Sequence, residues 1–283
     1  MLGTYKADFK IDSNLNVIMD IIFVVYFKMG VNGAAIATVI AEMCSCLFCI
    51  IYVYKKIPLL HYKKEEIVID RPLLKITIKY SWVTAMQQTC LYVGKVFVQG
   101  AVNPLGVNAI AAFNAVNRVD DFAFTPQQSI GSAMTTFIAQ NRGAKKLERI
   151  RQGFWSGMKI EIVYWCIIGV VVYFGARNFM KLFVPQKDSM VVEFGVIYLQ
   201  LMAFFYLMPS LTNGIQGYFR GMGALKITLM STFVQIVTRV IFAYLLVPKM
   251  EIVGIALSCL AGWIVMLAYE VPKCIKSYRI LRA

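Results

Sequence analysis

The chain has 283 residues, of which 59% are hydrophobic and only 16% charged, and it repeats stretches of about 20 apolar residues, the length that crosses a hydrocarbon core as a helix. A soluble core does not need so many. The net charge of +14 would suit nucleic acid, but the cations gather in a few connections and form no basic and aromatic stripe outside them; composition points to an all-α polytopic transmembrane helix bundle.

Eight spans are expected, over roughly residues 12–28, 33–54, 76–100, 107–137, 154–175, 190–215, 226–247 and 251–271. The opening from Gly3 to Lys10 is too polar for lipid, and Met1 is followed by no basic region and small-residue cleavage site of a signal peptide. Lys55, Lys56, Lys63, Lys64, Arg71 and Lys75 crowd one connection. Arg142, Lys145, Lys146, Arg149 and Arg151 crowd another, and Lys273, Lys276, Arg279 and Arg282 form the tail. Pairs of spans separate these segments, so all fall on one side. The positive-inside rule makes that side cytoplasmic, in a multi-pass protein of the cell membrane whose basic loops meet anionic lipid. Against this orientation stands the outer connection near Arg177, Lys181 and Lys187, which also carries Asp188 and Glu193.

In the first hairpin Asn16 and Asp20 are four residues apart on one helical face, and a turn near Gly30 places Thr38 of the next helix at the depth of Asp20. An amide oxygen, a carboxylate and a hydroxyl converging there suit Na⁺, or a proton on Asp20. The alternative is an aspartate that merely hydrogen-bonds a neighbouring helix. Glu42 lies mid-span with no charged residue within a turn, a candidate for binding substrate or protons, or a neutral buried acid.

Farther along, Gln88, Tyr92, Lys95 and Gln99 fall at helical spacing, as do Asn114, Asn117 and Asp121, and Asn213 with Gln216. These faces are candidates to line a substrate path, or polar side chains that bond between membrane helices. Lys95 is placed to snorkel to the outer surface. Cys44, Cys46 and Cys49 cannot converge on a metal, because Cys44 and Cys46 point to nearly opposite helix faces. His61, in a basic loop, has no nucleophile or carboxylate around it in sequence, and no enzyme constellation is visible.

The chain also echoes itself. Met29-Gly30-Val31-Asn32-Gly33-Ala34-Ala35-Ile36-Ala37, after an apolar run, returns as Met250-Glu251-Ile252-Val253-Gly254-Ile255-Ala256-Leu257-Ser258 after another. The spacing, roughly 220 residues, is too long for a solenoid, so each unit is a whole lobe. The register of the runs before it matches Asn16 with Gln235 and Asp20 with Arg239. An arginine keeps its proton, so any coupling site belongs to the first lobe alone.

The run Leu15 to Phe23 followed by Gly30 to Thr38 resembles the fifth and sixth helices of the multidrug and toxic compound extrusion (MATE) family. Arg118-Val119-Asp120 with Phe122-Ala123, then Gln140-Asn141-Arg142-Gly143-Ala144, resembles its eighth helix and the following loop. Phe219-Arg220-Gly221-Met222-Gly223, with Arg239 beyond, resembles its tenth and eleventh helices.

The resemblance implies helices five and six of an N-lobe over residues 1–54, a cytoplasmic interlobe loop over 55–75 and a six-helix C-lobe over 76–283. It implies alternating-access export of small organic, often cationic, compounds in exchange for Na⁺ or H⁺, with no other cofactor. In some branches an asparagine and an aspartate on helix five and a threonine on helix six bind the ion, and Asn16, Asp20 and Thr38 match them. Another branch uses a glutamate on helix seven and an aspartate on helix ten, where this chain has Gln87 or Gln88 and Pro209. A segment carrying helices one to four, with an aspartate on helix one, is the expected partner, and without it the chain is expected not to transport. The rival expectations are a flippase for lipid-linked saccharides, which needs a strongly cationic cavity, and a truncated membrane protein without transport.

Overall fold

The computed structural model describes residues 15–56, 69–184 and 189–280. His61, Lys63, Lys64, Lys187 and Asp188 lie outside the described residues. All regular structure among the described residues is helical, and the chain separates into two compact units, Met1–Arg71 and Pro72–Ala283.

The first unit is a helical hairpin. Helix α1 (Leu15–Tyr26) opens as α-helix and widens into a π-helical stretch over Ile21–Tyr26, immediately after Asp20. Phe27 and Met29 donate back to the carbonyls of Ile22 and Phe23, at 2.9 and 3.0 Å, and Lys28 takes a left-handed φ of 54° to reverse the chain. Helix α2 (Gly30–Lys56) then runs on as a single apolar helix. A Cβ on Gly33 would lie 2.9 Å from Met29 Cβ and 3.0 Å from the Phe23 carbonyl, so only glycine permits the return to pack so closely.

In the second unit α3 (Arg71–Val102) leads through a short 3₁₀ turn, Asn103–Leu105, to α4 (Val107–Gly143). Then come α5 (Leu147–Phe183), α6 (Ser189–Phe205), α7 (Leu207–Gly221) and α8 (Leu225–Ile280). Helices α6 and α7 form one broken span bent by 46°. Pro209 explains the break: it has no N–H to donate and its ring crowds the carbonyl four residues back. Helix α8 is long enough for two spans, and its arms meet at Glu251, whose φ of 49° and ψ of −125° are not helical, just after Pro248.

The echo seen in the sequence is thus an echo in backbone. Gly30, with φ +56°, and Glu251, with φ +49°, occupy the same place in the repeated motif and both carry a positive φ. Gly254, the counterpart of Gly33, is as confined: a Cβ there would lie 2.7 Å from the Leu246 carbonyl carbon and oxygen.

Helix α4 is the axis of the second unit. Its buried positions, Ala109, Ala112, Val116, Val119, Ala123, Gln127, Gly131, Met134, Ile138 and Asn141, recur every three or four residues and follow one face. It crosses α7 where a Cβ on Gly217 would lie 2.6 Å from the Gly131 carbonyl, the close backbone approach that holds membrane helices together. Two apolar clusters fill the unit. One contains Val98, Val116, Tyr198, Tyr206, Ile255 and Trp263; the other contains Met134, Ile138, Phe154, Ile215, Tyr218 and Phe219. Beside these clusters, along α4, α5, α7 and α8, lie the buried polar residues Gln127, Glu161, Ser210, Gln216, Thr232 and Glu270.

Candidate functional site

Asn16 Nδ2 donates to Thr38 Oγ1 across 3.2 Å, and Thr38 donates to the Ala34 carbonyl at 3.0 Å. The sequence places Asp20 opposite Thr38; the structure places Asn16 there, because the chain reverses around Lys28, two residues before Gly30, and the π-helical stretch alters the advance of α1. Asp20 closes the α-helical turn beneath that stretch, and its Oδ1 is buried without a hydrogen-bond partner. Glu42, on α2, is exposed.

In the second unit α4 turns a second face outward, and that face is polar for most of its length. Asn114, Arg118, Asp121, Thr125, Gln128 and Ser132 are exposed at helical spacing, and Thr136 and Gln140 continue the line. From Asn114 to Gln140 the stripe covers about 40 Å, more than the thickness of a hydrocarbon core. Thr125, Ser132 and Thr136 return their hydroxyls to carbonyls one turn back, which makes them tolerable in lipid. Arg118, Asp121, Asn114 and Gln128 are not so easily tolerated. Lys95 of α3 joins this face through Asp121, Nζ to Oδ1 3.9 Å, instead of standing alone as a snorkelling lysine.

The residues read from sequence as a substrate path therefore divide. Gln88, Asn114 and Asp121 are exposed, and Asn117 and Asn213 are half-buried. Gln87 and Gln216 form a third group. They are 7% and 5% exposed and face each other, Gln87 Nε2 to Gln216 Oε1 3.3 Å, inside a network that includes Thr232, Glu270 and Arg220. Their helical spacing was visible; the face each would present to its neighbours was not.

Other buried groups hold the scaffold. Asp120 accepts from Tyr206 at 2.6 Å and Tyr198 at 3.2 Å, with Arg239 close enough to act on it electrostatically. Gln127 donates to Ser210 at 2.8 Å, and Trp165 donates to the Ala203 carbonyl at 3.3 Å, so side chains serve the polar groups around the broken span. Arg142 Nη1 reaches the Met222 carbonyl at 2.6 Å and caps α7, joining two of the segments that carry the family resemblance. Glu161 and Glu270 escaped the sequence reading. Both lie inside expected spans, but each has a lysine within a turn, Lys159 and Lys273, so the isolation that singled out Glu42 does not mark them.

The family model MatE matches residues 83–245, more than half of the sequence. The chain belongs to the MatE family. It is 25% identical over 246 residues to the probable multidrug resistance protein YoeA of Bacillus subtilis (strain 168), covering 85% of this chain and 53% of that relative. It is 21% identical over 249 residues to the probable multidrug resistance protein NorM of Thermotoga maritima, covering 85% and 50%. A crystal structure of MATE in complex with MaL6 superposes with a TM-score of 0.90 at 19% identity, over 98% of this chain and 63% of that one. The chain spans about half the length of the curated relatives it matches. Among the described residues α2, α5, α8 and the bent pair α6 and α7 are long and apolar enough to cross a membrane, as a polytopic bundle of MATE fold requires.

Proposed function

We propose that this MATE protein takes part in export of small organic, often cationic, compounds from the cytoplasm, in exchange for Na⁺ or H⁺ and by alternating access. The polar stripe of α4 carries the reading. A line of amide, hydroxyl and charged side chains longer than the hydrocarbon core is intelligible as the wall of a water-filled path, and costly as a surface facing lipid. Its charges are mixed: Arg118 and Lys95 stand with Asp121, which suits varied organic solutes better than the strongly cationic lining a lipid-phosphate flippase requires. The names of the relatives YoeA and NorM, as probable multidrug resistance proteins, support the same substrate class.

The coupling ion belongs, in this reading, to Asn16, Asp20 and Thr38. An amide and a hydroxyl already in contact, with a buried unpartnered carboxylate oxygen one turn away, supply the hard oxygen donors that Na⁺ takes and the acid that a proton needs. The test is export of a fluorescent organic cation by cells that lack their own exporters and express this chain together with a segment supplying helices one to four, under an imposed Na⁺ or H⁺ gradient. Charge reversal at Asp121 should slow export and change the preference between cationic and neutral dyes. Export with unchanged preference after substitution of Asn114, Asp121 and Gln128 together would remove the stripe from the path.

A further inference from the structure

Glu270, on the second arm of α8, has no exposed surface and lies along that arm between Leu267 and Cys274 of the second apolar cluster. Its Oε1 is within 2.6 Å of Ser231 Oγ and 3.3 Å of Gln216 Nε2, and its Oε2 is buried without a partner. The surrounding shell is built from three helices. Gln216 Oε1 accepts from Gln87 at 3.3 Å and from Arg220 at 2.7 Å, and Thr232 Oγ1 accepts from Gln87 at 2.8 Å and Gln216 at 3.3 Å.

Ser231 has one hydroxyl proton and two acceptors in reach, Glu270 Oε1 at 2.6 Å and the Thr228 carbonyl at 3.0 Å. It serves one at a time. When Glu270 is ionised, the Ser231 proton goes to the carboxylate. When Glu270 is protonated on Oε1, its own O–H donates to Ser231 Oγ across the same short distance, and Ser231 turns its proton to Thr228. Rotation of one hydroxyl therefore closes the contact in either charge state, with no backbone movement.

The ionised state leaves a charged Oε2 buried without a donor among the described residues, and protonation removes that charge. Arg220 of α7, joined through Gln216, is the cation that acts on Glu270, and Cys274 on the same arm is the other titratable group coupled to it. Helix α3 and the first arm of α8 present only the neutral Gln87, Ser231 and Thr232.

We propose that Glu270 is a proton-carrying site of the second unit, with Ser231 as the hydroxyl that reorients to serve both of its charge states. One proton from water is taken up on Oε1 and returned to water; the carboxylate left behind is balanced by Arg220. The site is separate from the coupling residues proposed in the first unit and does not rest on them.

The test is infrared difference spectroscopy of the purified full chain in lipid nanodiscs between about pH 5 and pH 9. The wild-type protein should lose a protonated-carboxyl stretch as pH rises, and Glu270→Gln should lack that component. Ser231→Ala should move its midpoint up by about one pH unit, because a bond to an ionised acceptor is worth more than one to a neutral acceptor. Ser231→Thr should restore it. A Glu270→Gln spectrum that changes with pH as the wild type does overturns the proposal, as does a wild-type band that does not respond to pH. Should Glu270→Gln fail to reconstitute, an unmoved midpoint in Ser231→Ala overturns it equally. Asp20→Asn should leave the band unchanged, so failure here and failure of the coupling site in the first unit are read separately.

Discussion

The side-chain amide of Asn16 donates to the hydroxyl of Thr38 across 3.2 Å, tying α1 to α2 at one level. The bond fixes two neutral oxygen-bearing side chains and leaves Asp20, one turn farther along α1, with a buried oxygen that no donor among the described residues satisfies. In a lipid environment that is an unstable arrangement unless a proton or cation completes it.

Asp20→Asn is accordingly expected to lower gradient-driven export by about tenfold or more, because it removes both the anionic ligand and the acid. Asp120→Asn should be milder. Asp120 is a scaffold acceptor, Oδ1 for Tyr206 and Oδ2 for Tyr198; an amide keeps one of these bonds through its oxygen and can donate from its nitrogen to the other tyrosine oxygen. Dye uptake into inverted vesicles, driven in turn by Na⁺ and by H⁺, separates the two variants. Equal, wild-type coupling in both would displace the ion site from α1.

Orientation gives a second expectation. If the basic connections are cytoplasmic, a cysteine introduced at Gly106, between α3 and α4, should react with an impermeant thiol reagent applied to intact cells, and one at Lys145 should not. The seven native cysteines need replacing first. Reversed labelling would invert the topology, and with it the direction assigned to export.

The strained joint of α8 yields a third. Glu251 holds φ 49° and ψ −125°, a region that costs a residue with a Cβ about 1–3 kcal/mol, while the matching position of the first hairpin is Gly30. Glu251→Gly should therefore raise stability, seen as a rise of a few degrees in thermal unfolding in detergent. Pro248 already limits the chain before the joint, so the added freedom of glycine in the unfolded state offsets only part of the gain. A fall in Tm would show that the Glu251 side chain makes up the strain.

Much of the architecture was legible because lipid makes strong demands. Apolar runs located the helices, and the Gly33 and Gly254 motifs located two equivalent tight returns. The pairing of polar side chains was less legible. Sequence spacing put Asp20 across from Thr38, but a π-helical stretch changes the pitch of α1 and nothing in Ile21 to Tyr26 announces it. Gln87 and Gln88 are adjacent, yet one is buried in the Glu270 network and the other exposed, a choice set by where α7 and α8 pack. The long polar face of α4 was seen only at Asn114, Asn117 and Asp121, because the serines and threonines that extend it are ordinary residues of membrane helices.

Glu161 supports a final prediction. It has no exposed surface, neither of its carboxyl oxygens has a hydrogen-bond partner, and it lies near Tyr164, whose hydroxyl is committed to the Ala123 carbonyl at 3.1 Å. A buried polar group left unsatisfied costs about 1–3 kcal/mol, so an unbranched apolar side chain of similar length should be preferred there. Glu161→Met is expected to raise Tm by a few degrees, and Glu161→Gln to leave it near the wild type, since the amide is no better satisfied. Thermal unfolding of the two variants in the same detergent checks this directly. If Glu161→Met destabilises the protein while Glu161→Gln does not, the carboxyl must have polar company in the folded protein, and Glu161 would then join Glu270 as a working acid of the second unit.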